Sequence, residues 1–189
     1  MDRSDLILIP LVSGVMMGAI DSTIVILALL PISDSLHAPL YLTIWIILAY
    51  LLVAAVSTTQ FGRIGDIVSR KKVFNTGIAV FTAGSFLCGI SPDILALIGF
   101  RFVQATGYSM MTANSGSIIA DNFSANMRGR AYGYTSVGWN SGATLGIVLG
   151  GIITTLIGWR YIFFINVPVG LISLYFGIKY IGKGKILDK

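Results

Sequence analysis

Two ionisable side chains stand inside long apolar runs, and they are the residues best placed to do chemistry. Asp21 sits in GAIDSTIVILALLP, residues 18–31, with an apolar stretch reaching from Leu6 to Pro31 around it. Arg101 sits in ALIGFRFVQATG, residues 96–107. A carboxyl group so placed can load and release a proton. A guanidinium stays charged and needs a carboxylate, carbonyls or water beside it. The alternatives are structural: Asp21 hydrogen-bonded to Ser22, Thr23 or a neighbouring helix, and Arg101 snorkelling outward. Elsewhere chemistry is sparse. The chain has a single histidine, His37, a single cysteine, Cys88, and no glutamate. No metal site, nucleophilic triad or internal disulfide is visible in that set, and the chain is not read as an enzyme. Cys88, in an apolar run, reads as a small buried hydrophobe.

The elements that position these residues follow from composition. Of 189 residues, 55% are hydrophobic and 11% charged, against about 25% charged in soluble domains. A soluble fold of this size cannot hide so much apolar surface, so the solvent is read as lipid. Six apolar segments appear, at 6–33, 41–61, 73–91, 94–120, 131–157 and 161–181, each near or above the ~20 residues that cross a bilayer. The strict alternation of a barrel strand is missing, so the segments are helices. The first is too long for a signal peptide and is read as a retained span. Connections are short: SDSLHAP, GRIGDIVSRKK, SPD, DNFSANMRGR and GWR. The formal net charge is +5, but the charges lie between apolar runs and do not describe a nucleic-acid surface. Arg3, Arg63, Arg70, Lys71, Lys72, Arg128, Arg130, Lys179, Lys183, Lys185 and Lys189 fall on one side, and only Arg160 on the other. The positive-inside rule then places both termini in the cytoplasm.

On the first span a helical stripe runs Gly14, Gly18, Asp21, Val25, Ala28. Faces of small residues pack against other helices or line cavities. At ~1.5 Å per residue Asp21 is roughly 18 Å deep, near the midplane. The stripe through Arg101 continues Gln104, Ala105, Tyr108, Thr112, Ser115, which is polar for such a helix. Asn114, Asn140 and Asn166 read as interhelical glue, and Trp45, Trp159 and Tyr161 as interface aromatics.

GRIGDIVSRKKVF, residues 62–74, adds a patterned loop. Its glycines suit a tight turn, and Asp66 can accept from backbone N–H groups or pair with Arg70. The stretch resembles the signature loop of the major facilitator superfamily, G-x-L-a-D-r-x-G-R-[KR]. Gly62, Asp66, Arg70 and Lys71 match, with Ile64 for the leucine and Ser69 for the second glycine. DSTIVILALLP, from Asp21, resembles the first-helix signature of the fourteen-helix drug:proton antiporter branch, with Ile26 for the usual asparagine. RFVQATG, from Arg101 to Gly107, resembles the fourth-helix R-x-x-Q-G-x-G, with Ala105 for the first glycine. GATLGIVLGG, from Gly142 to Gly151, resembles the fifth-helix antiporter signature, with Ile147 for its proline. WRYIFFINVPVG, from Trp159, is similar to the start of that branch's sixth helix.

The resemblance implies an all-α membrane protein of six transmembrane helices. It would be the N-terminal half of a major facilitator fold, built from two three-helix inverted repeats. It brings Asp21 and Arg101 within reach across a central cavity. Arg101 would tune Asp21 and be released when Asp21 is protonated. Gln104, Tyr108 and Thr112 become cavity candidates. Gly138, Gly142, Gly146, Gly150 and Gly151 form a groove for another helix, in the family one of the C-terminal half. Arg70 would latch onto Asp121, with Arg128 as a competing cation for Asp66 or Asp121. The implied function is proton-coupled export of a small amphipathic or cationic compound by alternating access, in the plasma membrane. The proton gradient drives it and no cofactor is needed. The partners would be the bilayer and a second six-helix half, either another copy or a separate C-terminal half. A non-transporting half that acts as a membrane interaction partner, and an uptake symporter of the same superfamily, are the rival readings.

Overall fold

The computed structural model describes residues 3–182. Lys183, Lys185 and Lys189, counted above for orientation, lie outside the described residues. The chain folds as α1 (Arg3–Ser35), α2 (Leu40–Thr43), α3 (Trp45–Val68), α4 (Arg70–Gly89), α5 (Ile94–Asn122), α6 (Ala125–Leu156), α7 (Tyr161–Phe164) and α8 (Asn166–Tyr180). Ile44 and Ile165 keep helical dihedrals, so α2 runs into α3 and α7 into α8 as single spans. Among the described residues, five spans are long and apolar enough to cross a membrane. The sixth, α4, starts on Arg70, Lys71 and Lys72 and carries Asn75, Thr76, Thr82 and Ser85, which lower its apolarity.

The helices run further than the apolar segments. Residues 62–68 belong to α3 and 70–72 to α4, leaving Ser69 alone between them. The expected loop is therefore a helix–helix corner, with Ser69 capping α4 by accepting from the Lys72 amide at 3.4 Å. DNFSANMRGR is likewise helical except at Phe123 and Ser124. Basic residues stop an apolar count without stopping a helix. The SPD connection is a true break, where Asp93 accepts from the Ala96 amide at 2.8 Å. In GWR, Gly158 takes φ +109° and its amide reaches the Ile153 carbonyl at 3.0 Å, which closes α6.

Close approaches fix the packing. Gly138, Gly142, Gly146 and Gly150 of α6 lie against Val12, Met16, Ile20 and Ile24 of α1. Both series ascend in steps of four, so α1 and α6 are parallel. Ile46–Arg101 and Phe61–Asn114 contacts make α3 and α5 parallel too. Gly77 against Gly107 and Gly84 against Gln104 make α4 and α5 antiparallel. Ser13–Ser173 and Asp21–Asn166 contacts make α1 and α8 antiparallel. The packing of α1 on α6 and α8 is thus repeated with inverted direction by that of α5 on α3 and α4, the relation expected when spans one to three and spans four to six are two inverted three-helix units. Arg70, Asp121, Lys71 and Lys179 gather at one end, called the basic end below; Arg160 lies at the opposite end.

The core falls into two apolar parts. Leu11, Met17, Phe74, Phe81 and Ile118 belong to the part nearer the basic end. Ile24, Ala28, Ile46, Leu97 and Phe163 belong to the other. Asp21 lies between Met17 and Ile24 on α1, and Ser85 between Phe81 and Cys88 on α4. A buried polar layer separates the two parts.

Candidate functional site

That layer is built by five spans. Asp21 from α1 is 0% exposed and Arg101 from α5 is 1% exposed. Arg101 Nη1 donates to Asp21 Oδ2 at 2.6 Å and to Gln104 Oε1 at 2.6 Å. Gln104 Nε2 donates to Asp21 Oδ1 at 2.8 Å and to Ser85 Oγ at 2.7 Å. Asn166 Nδ2, from the start of α8, reaches Asp21 Oδ1 at 3.3 Å. Arg101 Nε donates to the Ile46 carbonyl at 3.1 Å, and the guanidinium carbon lies 4.2 Å from the Tyr50 ring centroid. The snorkelling alternative for Arg101 is therefore set aside: the side chain turns inward. Of the structural alternatives for Asp21, bonding to neighbouring helices is realised and bonding to Ser22 or Thr23 is not, since those hydroxyls donate to backbone carbonyls.

Chemically, every partner of Asp21 in this layer is a donor: Arg101, Gln104 and Asn166. An ionised carboxylate accepts at both oxygens, whereas a protonated one has become a donor itself. A proton on Asp21 therefore adds an O–H that none of these N–H groups can accept, and it weakens the carboxyl as an acceptor for all three. It also removes the charge that holds Arg101, in a place where breaking such a pair costs about 3–5 kcal/mol.

The remaining expected residues scatter. Gln104 belongs to the polar layer, where it is buried and its amide bonds Asp21, Arg101 and Ser85. Tyr108 packs on Tyr50 with ring centroids 5.4 Å apart. Thr112 does line a cleft of about 270 Å³ between α5 and α6, with Ser115, Tyr132, Ser136 and Trp139. At the basic end Arg70 Nη1 bonds both oxygens of Asp121 at 2.8 and 2.9 Å, and its Nε bonds Asp66 at 2.8 Å. Arg128 does not compete; it donates to the Ala120 and Phe123 carbonyls. Lys71 reaches the Ile178 carbonyl at 2.8 Å. Gly62 and Gly65 stand inside α3 rather than in a turn, and Gly65 gives room to Asn114. The α6 glycines need a correction as well. The groove of Gly138, Gly142, Gly146 and Gly150 is filled by α1 of the same chain, so it does not await an outside helix; Gly151 has only the Leu27 side chain of α1 near it, at 3.8 Å. Spacing reveals a bare face but not which neighbour covers it.

Sequence reading missed Ser85, Tyr50 and the Ile46 carbonyl, and it took Asn166 only as glue. Of the three asparagines, Asn114 does bridge helices, to the Phe61 carbonyl, while Asn140 bonds within its own helix. A polar residue at the level of Asp21 on each packed span is the signal that would have found Ser85 and Asn166.

Apolar spans around one buried ionic layer define a multi-pass helical membrane protein. Residues 11–187 match the model of the Major Facilitator Superfamily, and the chain belongs to that family. It is 35% identical over 189 residues to the riboflavin transporter RibZ of Clostridioides difficile strain 630, covering 100% of this chain and 41% of that one. It is 34% identical over 174 residues to multidrug resistance protein 3 of Bacillus subtilis strain 168, covering 92% and 34%. The tetracenomycin C resistance and export protein of Streptomyces glaucescens is 36% identical over 165 residues, covering 87% and 31%. The chain thus spans less than half the length of these relatives, which are transporters rather than enzymes. A D-xylose-proton symporter shares the fold with a TM-score of 0.84 at 14% identity, over 96% of this chain and 49% of that one. A peptide transporter does so at 0.83 and 15%, over 98% and 44%.

Proposed function

We propose that the chain is the proton-coupling half of an exporter of small organic molecules, with Asp21 as the proton carrier. The observation that carries this reading is the ring of donors around Asp21, whose hold on it one proton would weaken. Protonation would free α1 from α5 and α8 and so bias the bundle toward its other conformation. Arg101 would stay where it is, held by the Ile46 carbonyl and the Tyr50 ring, so the released side is Asp21 rather than Arg101. The names of the relatives, transporters of riboflavin and tetracenomycin C among them, favour an organic solute and leave an amphipathic or cationic one in keeping.

The transport cavity needs a second wall. Ser136, Asn140, Ser141 and Thr144 form an exposed polar face on α6, beside the cleft at Thr112. Such a face suits another protein surface or water, not lipid. A second six-helix half, from a further copy or a C-terminal half, would cover it, and the two halves would rock about the midplane. The basic end would face the cytoplasm of a cell whose plasma membrane holds the protein. The Arg70–Asp66–Asp121 cluster would latch the units on that side.

The test is reconstitution into liposomes with and without a C-terminal half, with proton flux followed on addition of a cationic dye. The wild-type assembly is expected to exchange dye for protons and the Asp21→Asn assembly to lose the proton flux. If no assembly moves protons, the transport reading fails for this chain and the non-transporting membrane partner takes its place. Proton flux in the same direction as the dye would favour the symporter reading.

A further inference from the structure

Asp21 is sealed unequally toward the two ends of the bundle. Toward the opposite end, Ile24, Val25, Ala28 and Ile32 follow it on α1, all buried, with Ile46 and Leu97 packed at the same levels. Toward the basic end the first layer on the seam between α1 and α5 is an aromatic ring, with Phe74 and Met111 on Gly14 one turn beyond it. One turn from Asp21 stands Gly18, and one turn from Gln104 stands Tyr108. The Tyr108 ring lies on Gly18 so closely that a Cβ there would strike it. The next turn brings Val15 and Thr112, which already line the cleft. The Tyr108 ring therefore lies between the level of the buried carboxylate and the level at which the cleft begins.

A second observation points the same way. The Tyr50 hydroxyl is buried without a hydrogen-bond partner, although its ring touches both Tyr108 and Arg101. Leaving a buried hydroxyl unsatisfied costs about 1–3 kcal/mol. Water admitted past Tyr108 would meet that hydroxyl first, and its satisfaction would offset part of the cost of opening.

We infer that the Tyr108 ring is the gate between Asp21 and the cleft, and that Asp21 exchanges protons with the basic end when this ring swings off Gly18. The inference rests on the reading of Asp21 as the proton carrier, but its test reads access and not transport. The purified full chain is treated with a charged, water-soluble carbodiimide and an amine, and modification of Asp21 is followed by peptide mass spectrometry. An apolar carbodiimide, which enters through the detergent or lipid, is the control. Tyr108→Ala is expected to raise the rate with the water-soluble reagent about tenfold, as for a local opening made one decade more frequent. Tyr108→Phe, which keeps the ring, is expected to stay near wild type. The apolar reagent is expected to modify all variants alike, which also shows that they are folded. Gly18→Ala, which wedges the ring, is expected to raise the rate on its own and to add nothing to Tyr108→Ala. An unchanged rate in Tyr108→Ala, an equal rise in Tyr108→Phe, or additive effects of the two positions would each overturn the gate. If Asp21→Asn leaves transport intact while these rates behave as expected, the proton reading falls and the gate stands.

Discussion

Arg101 serves three directions at once. It gives one bond to the Ile46 carbonyl, shares Nη1 between Asp21 and Gln104, and lies flat on Tyr50. A planar guanidinium can do this and a lysine ammonium cannot. Arg101→Lys is therefore expected to lower the stability of the purified protein by about 2 kcal/mol, the scale of one lost charged hydrogen bond. Thermal unfolding in detergent measures it. A lysine variant with the wild-type midpoint would show that charge alone is sufficient there. The ionic members of this layer were legible in the sequence because a charge in an apolar run stands out. The neutral members were not. Ser85 and Asn166 look like any polar residue in a membrane helix until the packing sets them level with Asp21.

At the scale of elements, apolar length located every span, and the charge pattern misplaced several ends. The signature stretch became helix and corner because Ser69 alone interrupts it. The glycine face of α6 was visible, but its occupant was not, since a bare groove fits any helix backbone. Now that α1 is known to fill it, its positions separate. A Cβ at Gly146 would meet the Thr23 hydroxyl and the Ile20 backbone, and Thr23 itself donates to the Ala143 carbonyl at 3.1 Å. A Cβ at Gly151 meets only Leu27, at 3.8 Å, an ordinary contact. Gly146→Ala is expected to cost about 2 kcal/mol through overpacking, and Gly151→Ala less than about 0.5 kcal/mol as a site with room. Paired thermal-shift measurements decide it; equal midpoints for both variants would mean that α1 yields freely.

For the whole molecule the open question is which way it sits in the bilayer. Basic residues crowd one end, and His37 and Arg160 mark the other. Cys88 is buried, so a Cys88→Ala background is a mild change and leaves no native thiol. His37→Cys in that background is expected to react with an impermeant maleimide added to intact cells, and Ser69→Cys only after the membrane is opened. The reverse pattern would invert the assigned orientation. The inverted pairing of the two three-helix units was legible only as an implication of family resemblance, because direction of packing is not written in composition. It came into view through contacts such as Gly138 with Val12 and Phe61 with Asn114.

The seam of α1 and α6 carries one more consequence. Its contacts repeat every four residues on both helices, Val12 to Ile24 against Gly138 to Gly150. A slide of about 6 Å, one step of that repeat, would return each remaining glycine to an equivalent bed of α1 backbone. Glycine packing alone is thus a toothed rack that meshes at more than one stop. The bonds from Thr23 to Ala143 and from Asp21 to its donors act as the pawl, and only the second of these is sensitive to a proton.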